Sequence, residues 1–365
     1  MKNFLLFLAI MVVSIIDGYS QASFNTGALE VSVSEYGRIR LFTPDGTRHL
    51  QRASIIVGTA SGVFDYTNDA EALDPTVLVA TPLMSDYEIY GSNDNSYSEL
   101  PPDVIVKYNA FGWNNGGYTI IKFNITNAEA TPMTPLIGLD IIPELNEEYG
   151  FDTVTYNSSE GIIRFHRGAQ VNMGMKLLSD PLTSLYSFEW YDGYTVDADY
   201  WNWMNYGLMQ PEYISTTVDG PVTITSQDEV AINPGESFEV FYAMALGADE
   251  QTMLSGISAA VQKYQSWFNA VEDIGLPVNE IKLVQNYPNP FDHSTTISYQ
   301  LPGDGFVSLK IFNTIGKEVA TLVDSKQKGG LHKFVFDAKD LAGGVYYCTL
   351  RFNDQVKSNK MFLVK

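Results

Sequence analysis

From residue 29 onward this chain repeats one pattern: apolar residues at alternate positions, in short runs broken by Gly, Asn, Asp and Pro. Leu29, Val31 and Val33 alternate, and Ile39 and Leu41 follow the Gly37 turn. Ile55 and Val57, Val77 and Val79, then Val104, Val106 and Tyr108 continue the pattern. So do Ile121, Phe123 and Ile125, then Val222 and Ile224, Val230 and Ile232, and Phe238, Val240 and Tyr242. A period of two lines one face of a strand, so the pattern predicts antiparallel sheets with one face packed and one wet. The 22 Tyr and 20 Phe, set beside only 22 Lys and Arg together, lean the same way.

One segment departs from the rule. Leu254, Ile257, Val261, Tyr264 and Phe268 are spaced by three and four, which predicts a single amphipathic helix over 249–269 packed against a sheet edge. Asp249 and Glu250 sit where negative charge favours a helix start. Gly275 and Pro277 end the order, so 270–282 reads as a linker. The charge changes at the same place. Residues 23–279 hold 34 acidic and 10 basic residues, net −24, and residues 280–365 hold 8 and 11, net +3. So little basic surface excludes nucleic acid as a partner. The acidity itself reads as a solvated surface, with divalent-cation binding as the functional alternative.

The first residues carry the pattern of a secretory signal. Lys2 is followed by an apolar run, Phe4 to Ile16, shorter than the ~20 residues a membrane span needs. Small residues at Ser20 and Ala22 place the expected cleavage after Ala22, giving 1–22 as signal peptide. No transmembrane segment is expected in the mature chain. A single cysteine, Cys348, excludes an intrachain disulfide, and its place in an apolar strand makes it a core residue.

The end of the chain holds the most specific motifs. Asn286, Tyr287, Pro288, Asn289, Pro290 and Phe291 form one block. Ile297, Tyr299 and Leu301, then Val307, Leu309 and Ile311, alternate after it. Gly316 supplies a turn, Gly343 and Gly344 precede Val345-Tyr346-Tyr347, and Lys360-Met361-Phe362-Leu363-Val364-Lys365 closes the chain. About seven short strands at this spacing predict an immunoglobulin-like sandwich over 283–365. In order and spacing these motifs resemble the type A C-terminal sorting domain of the type IX (Por) secretion system. The resemblance implies recognition by that machinery, with Tyr287, Pro288, Asn289, Pro290, Phe291, Gly316, Gly344 and Lys365 as its motif residues. It also implies passage through the periplasm to the cell surface or medium, removal of the tail near the linker, and attachment to surface lipopolysaccharide or release.

Residues 23–269 hold a second, less specific set of landmarks. These are Leu136 to Ile141, Phe188 to Tyr194, Asn233 to Ser237 and Tyr242 to Gly247. They resemble a domain found beside such tails in secreted bacterial proteins, a large antiparallel supersandwich similar to galactose-mutarotase-like folds. Taken together, the fold class expected is all-β: a supersandwich with one helix, then a small immunoglobulin-like sandwich.

Catalytic signatures are sparse. Gly58-Thr59-Ala60-Ser61-Gly62 lacks the spacing of a nucleophile elbow, and no zinc motif occurs. No cofactor and no metal are expected. Mutarotase-type chemistry pairs a His acid with a Glu base, which His49 or His166 with Glu144, Glu147, Glu148 or Glu189 would have to supply. The alternative is a strand histidine with a structural role. A richer feature is the run of aromatics from Tyr186 to Tyr206. Trp190, Tyr191, Tyr194, Trp201 and Trp203 form a candidate glycan platform, since exposed rings stack on sugars and Asp192, Asp197 and Asp199 can bond hydroxyls. The competing reading is packing: Asp197 caps a short helix, Trp201 and Met204 face inward, and Gly207 stops it. The same three carboxylates allow a loose calcium site. The function expected is a secreted, non-enzymatic binding or structural protein, with polysaccharide as the candidate partner. The alternative is a carbohydrate-active enzyme using a His/Glu pair.

Overall fold

The computed structural model describes residues 21–365 apart from 83, 169–170, 191–195, 268–280, 284–285, 287–288, 290, 292 and 340. The expected signal peptide and most of the expected linker therefore lie outside the described residues. The chain divides into two compact units, Met1–Val261 and Gln262–Lys365.

Except for Val79, Val230 and Ile232, which lie outside the strands, Ile232 in an isolated bridge to Met133, the alternating runs of the first unit become strands. They are β1 (Gln21–Asn25), β2 (Glu30–Ser34), β3 (Ile39–Phe42), β4 (Arg48–Thr59), β5 (Gly62–Phe64), β6 (Glu71–Leu78) and β7 (Tyr87–Asp94). Next come β8 (Val104–Gly112), β9 (Tyr118–Asn127), β10 (Leu136–Pro143), β11 (Thr153–Asn157), β12 (Ile162–His166), β13 (Asn172–Leu177) and β14 (Leu182–Glu189). Helix α1 (Asp197–Met204), β15 (Glu212–Ile214), β16 (Pro221–Gln227), β17 (Ser237–Gly247) and helix α2 (Glu250–Trp267) complete the series. One sheet has the order β1-β2-β3-β4-β10-β16-β14, with β5 added to β4, and the other runs β15-β11-β12-β13-β17-β9-β8-β7-β6. Every pairing is antiparallel.

The two sheets share one core. Val31, Leu41, Ile55 and Leu139 from the first sheet meet Phe123, Ile125, Met173 and Tyr242 from the second. The residues that alternate in sequence are the ones that point inward, as burial of one sheet face demands. Two runs are exceptions. Val222 and Ile224 of β16 are buried on the other face of their sheet, with Tyr200 and Met204 of α1. Val77 lies in β6, an edge strand, and is 44% exposed, so its alternation marks a strand and not a core.

Helix α2 forms where the three-and-four spacing placed it, with residues 268–269 outside the described set. Its seat differs from the expected sheet edge. Met253 and Ile257 lie against Gly174 of β13, and Gly256 lies against Ala245 of β17. Those strands are central, so the helix covers the outer face of the nine-stranded sheet. The physical reason is side-chain size. A Cβ at Gly174 would stand 2.1 Å from Met253 Sδ, so the glycine leaves the space the helix fills.

The tail folds as seven strands: β18 (Lys282–Leu283), β19 (Ser294–Leu301), β20 (Gly305–Asn313), β21 (Glu318–Gln327), β22 (Gly330–Asp337), β23 (Gly344–Phe352) and β24 (Gln355–Leu363). They form a three-stranded sheet, β18-β19-β22, and a four-stranded sheet, β21-β20-β23-β24. Ile297, Tyr299, Leu301, Val307, Leu309, Ile311, Tyr346, Cys348, Leu350, Met361 and Leu363 build its core, as alternation predicts. Burial pushes the Cys348 thiol up to about 12, which keeps it an unreactive core group.

Candidate functional site

The outer face of the eight-stranded sheet is where the first unit concentrates polar and aromatic side chains. Helix α1 lies across it. Its start is capped by Val196 with no side-chain bond, so Asp197 is not the cap expected from sequence. Asp197 Oδ2 instead accepts the Val63 N–H at 3.1 Å and pins the helix to β5. Tyr200 and Met204 are the fully buried residues, and they join Ile56, Val63, Leu136, Ile142, Val222 and Ile224 in a second apolar cluster. Gly207 follows with φ +69°, as a helix stop requires.

Of the five expected platform residues, Trp190, Trp201 and Trp203 all pack, partly exposed, against the second apolar cluster. Tyr191 and Tyr194 lie outside the described residues. Trp203 stacks on Phe188, ring centroids 4.2 Å apart, and packs against the second cluster. Trp190 meets Tyr149 edge to face at 6.0 Å and stays partly exposed. Trp201 is also partly exposed and lines a cleft of about 280 Å³ with Thr59, Ser61, Asp197 and Asn202. The cleft sits where the β4–β5 turn faces the first turns of α1. It sets one indole beside hydroxyl, amide and carboxylate groups.

Beneath α1 lies a buried ionic group that sequence reasoning missed. Arg52 Nη2 stands 2.8 Å from Asp140 Oδ2, both almost fully buried. The Arg52 guanidinium also bonds Tyr66 Oη and lies over its ring, 5.3 Å from the centroid. Burial pushes the Asp140 carboxyl up to about 6, against the pull of Arg52, and raises the Tyr200 hydroxyl as well. Nearby, Arg48 grips Glu144 with Nε and Nη2, and the Tyr149 hydroxyl bonds the same carboxylate. One signal was available in the sequence: Arg38, Arg40, Arg48 and Arg52, four of the ten basic residues in 23–279, fall within fifteen positions.

Of the two histidines expected for acid–base chemistry, His49 is engaged elsewhere. His49 is buried, and its Nδ1 accepts the Asn146 N–H at 3.1 Å. Nε2 therefore carries the proton and donates to Thr43 Oγ1 at 3.2 Å. Burial lowers the pKa of His49, and burial and Arg164 lower that of His166, a β12 residue opposite Thr153 and Asn172. Glu144 is held by Arg48, Glu148 by Arg167, and Glu189 accepts bonds from Ser215, Thr216 and Thr217. Glu147 is exposed. Among the described residues no group of three or more His, Cys, Asp or Glu is placed to hold a metal ion.

In the tail, the described motif residues stitch its start to its end. Asn289 donates from Nδ2 to the Lys360 carbonyl at 3.2 Å and accepts the Phe362 N–H at 2.7 Å. Phe291 is buried against Phe336, exchanges backbone bonds with Phe362 and Val364, and bridges Leu363 in parallel. Gly316, φ +77°, makes the tight β20–β21 turn. Gly344 opens β23, and Lys365 Nζ bonds the Lys339 carbonyl. Tyr287, Pro288 and Pro290 lie outside the described residues.

Comparison with curated proteins finds no match. Among solved structures the chain resembles a bacterial glucoamylase complexed with acarbose, at TM-score 0.49 and 11% identity over 68% of this chain and 34% of that one. It thus spans about a third of the glucoamylase chain. A putative aldose 1-epimerase from Klebsiella pneumoniae gives TM-score 0.41 and 9% identity over 68% of this chain and 84% of that one. Another from Escherichia coli K12 gives 0.38 and 10%, covering 63% of this chain and all of that one. Likeness this distant carries no argument about activity. The tail is different: residues 285–365 match the family described as "Secretion system C-terminal sorting domain". With its sandwich, and with Asn289 and Phe291 tied to the closing strand, that region is a type IX sorting domain, and the chain is one that the pathway exports to the cell surface or medium.

Proposed function

We propose that the first unit is a non-enzymatic glycan-binding module delivered to the cell exterior by the sorting domain. The observation that carries this is the cleft at α1. Partly exposed Trp201 lines it beside Asp197, Asn202, Ser61 and Thr59, groups that bond hydroxyls. The His/Glu alternative has no comparable support, because His49 and Glu144 each spend their polar atoms on structural partners. The exported form is a domain running to about residue 269. Its tail is removed near the 270–282 linker, and it is then either released or held by surface lipopolysaccharide.

Affinity electrophoresis of the purified chain in gels of soluble polysaccharides tests the binding. Retardation by at least one glycan is expected, and Trp201→Ala should abolish it while near-UV circular dichroism stays native. Equal mobility in every gel would sink the binding module. Truncation after Gly275 tests delivery: the shortened protein should remain in the periplasm, and its appearance at the surface would refute the tail's role here.

A further inference from the structure

Four arginines gather on one face of a unit that is otherwise strongly acidic. Arg40 points away from the core, since its strand neighbours Ile39 and Leu41 point inward. Arg48 and Arg52 come from β4, the strand next to it. Two of the four are spoken for: Arg52 by Asp140 and Arg48 by Glu144. The other two are not. Arg40 bonds only the Gln51 carbonyl, at 3.4 Å, and Arg38 Nε is buried with no hydrogen-bond partner. Neither makes an ion pair among the described residues.

That arrangement is costly for an empty surface. Both side chains are partly buried, and Arg40 is held below its ordinary pKa by burial and by repulsion from Arg38 and Arg48. Glu144, already gripped by Arg48, offsets this only in part, so the partly buried like charges favour a further anion. The guanidinium fork matches a planar carboxylate or a sulfate in two-point contact. The aromatics beside it supply the rest of a saccharide site. Tyr149 bonds the Glu144 carboxylate that Arg48 grips, Trp190 meets Tyr149 edge to face, and all three of Tyr66, Tyr149 and Trp190 remain partly exposed.

We propose that Arg38 and Arg40, with Trp190 and Tyr149 alongside, bind the acid groups of an anionic glycan, so that the ligand of the module is a uronate- or sulfate-bearing polysaccharide. This adds a second contact for the same ligand, apart from the Trp201 cleft, and rests on the glycan reading above. The site supplies recognition alone; no bond is made or broken. The chain's net charge of −21 sharpens the test, because a polyanion is repelled everywhere except at such a patch.

The experiment is affinity electrophoresis of the whole chain in gels holding polygalacturonate, its methyl ester, alginate, chondroitin sulfate or dextran. Retardation by one or more of the acidic polymers is expected. Where polygalacturonate binds, its methyl ester should bind about tenfold more weakly or less, since esterification removes the charge and keeps the rings. Arg40→Gln should weaken acidic binding about tenfold, and the Arg38→Gln, Arg40→Gln pair should remove it. Should the variants misfold by near-UV circular dichroism, the acid-against-ester comparison on the wild-type chain decides. Retardation by dextran with none by any acidic polymer would overturn the anion site and leave the glycan module standing. Acidic binding unchanged by esterification or by Arg40→Gln would do the same. No retardation in any gel would sink both.

Discussion

β10 in the first unit and β20 in the tail are both flanked on each side by other strands, yet they bury differently. Every residue of β10 is buried, from Leu136 to Pro143. In β20, Val307, Leu309 and Ile311 are buried and the residues between them are not. The tail strand has one dry face, so its sequence alternates. The first-unit strand has two, because α1 and the second apolar cluster sit on its outer side. Loss of alternation in a central strand therefore marks where something lies on the sheet.

The sharpest way to break this comparison is to add volume at the doubly buried face. A Cβ at Gly138 would lie 1.6 Å from the Thr225 carbonyl oxygen. Gly138→Val should cost about 4–5 kcal/mol, at the upper end for a single substitution. Four of the five tryptophans lie in Met1–Val261 and the fifth, Trp267, ends α2, so fluorescence is dominated by the larger unit and residues 285–365 contribute none. An unchanged urea midpoint by tryptophan fluorescence would mean that β10 is not closed on both faces. The counterpart in the tail is Leu309→Ala, which removes a fully buried side chain and should cost about 3 kcal/mol. Its effect should appear in the far-ultraviolet signal and in proteolysis of the tail, with the tryptophan transition unmoved. A matching shift in tryptophan fluorescence would show that the two units unfold as one.

The same contrast governs what could be read from the sequence. The tail's core was legible almost residue by residue, because each strand packs one face and shows its period. The helix α2 was legible from its spacing, but its seat was not, since Gly174 looks like any strand glycine until the helix is placed on it. The buried Arg52–Asp140 pair was hidden for a related reason. Asp140 sits inside Leu-Ile-Gly-Leu-Asp-Ile, where a lone carboxylate gives no sign that an arginine 88 positions earlier will meet it. The aromatic run was legible as a feature and ambiguous in role, and the fold keeps both readings: Trp190, Trp201 and Trp203 each pack one side on the second apolar cluster and stay partly exposed on the other.

A smaller effect should separate the units by pH. Asp152 is buried, its Oδ1 is 2.8 Å from Arg167 Nε, and burial pushes its carboxyl up to about 6 despite that partner. A raised carboxyl pKa means the folded state holds the proton where the unfolded chain, near ~3.9, does not. Its stabilising effect is therefore complete below about pH 4 and is lost as pH rises through about 6. From pH 7 to pH 5 the wild-type chain should gain on Asp152→Asn by about 1–2 kcal/mol in tryptophan-detected unfolding. Parallel pH profiles would remove this reading of Asp152. His49, kept neutral by burial, acts in the opposite sense but equally in both proteins. The tail has the reverse sign: hydrogen bonds hold Asp304, Glu318 and Asp337 low, so their support persists above about pH 4 and fails only as pH falls below it.

The smallest expected change asks whether the tail's motif is structure or signal. Asn289 makes two hydrogen bonds to the backbone of β24, and both are near the surface. Asn289→Ala should cost about 1 kcal/mol of tail stability, the ordinary net worth of such bonds. If the motif serves to hold the closing strand in place, a tail that remains folded will still be exported, and surface yield will follow tail stability. Leu309→Ala, with the larger stability loss and an intact motif, should then reduce export more than Asn289→Ala does. The opposite order, with export lost in Asn289→Ala while its tail resists protease like the wild type, would mean that the machinery reads the asparagine side chain itself. In that case Asn289 would be free to contact a partner at the moment of recognition, and its bonds to Lys360 and Phe362 would be exchanged for bonds to the translocation machinery.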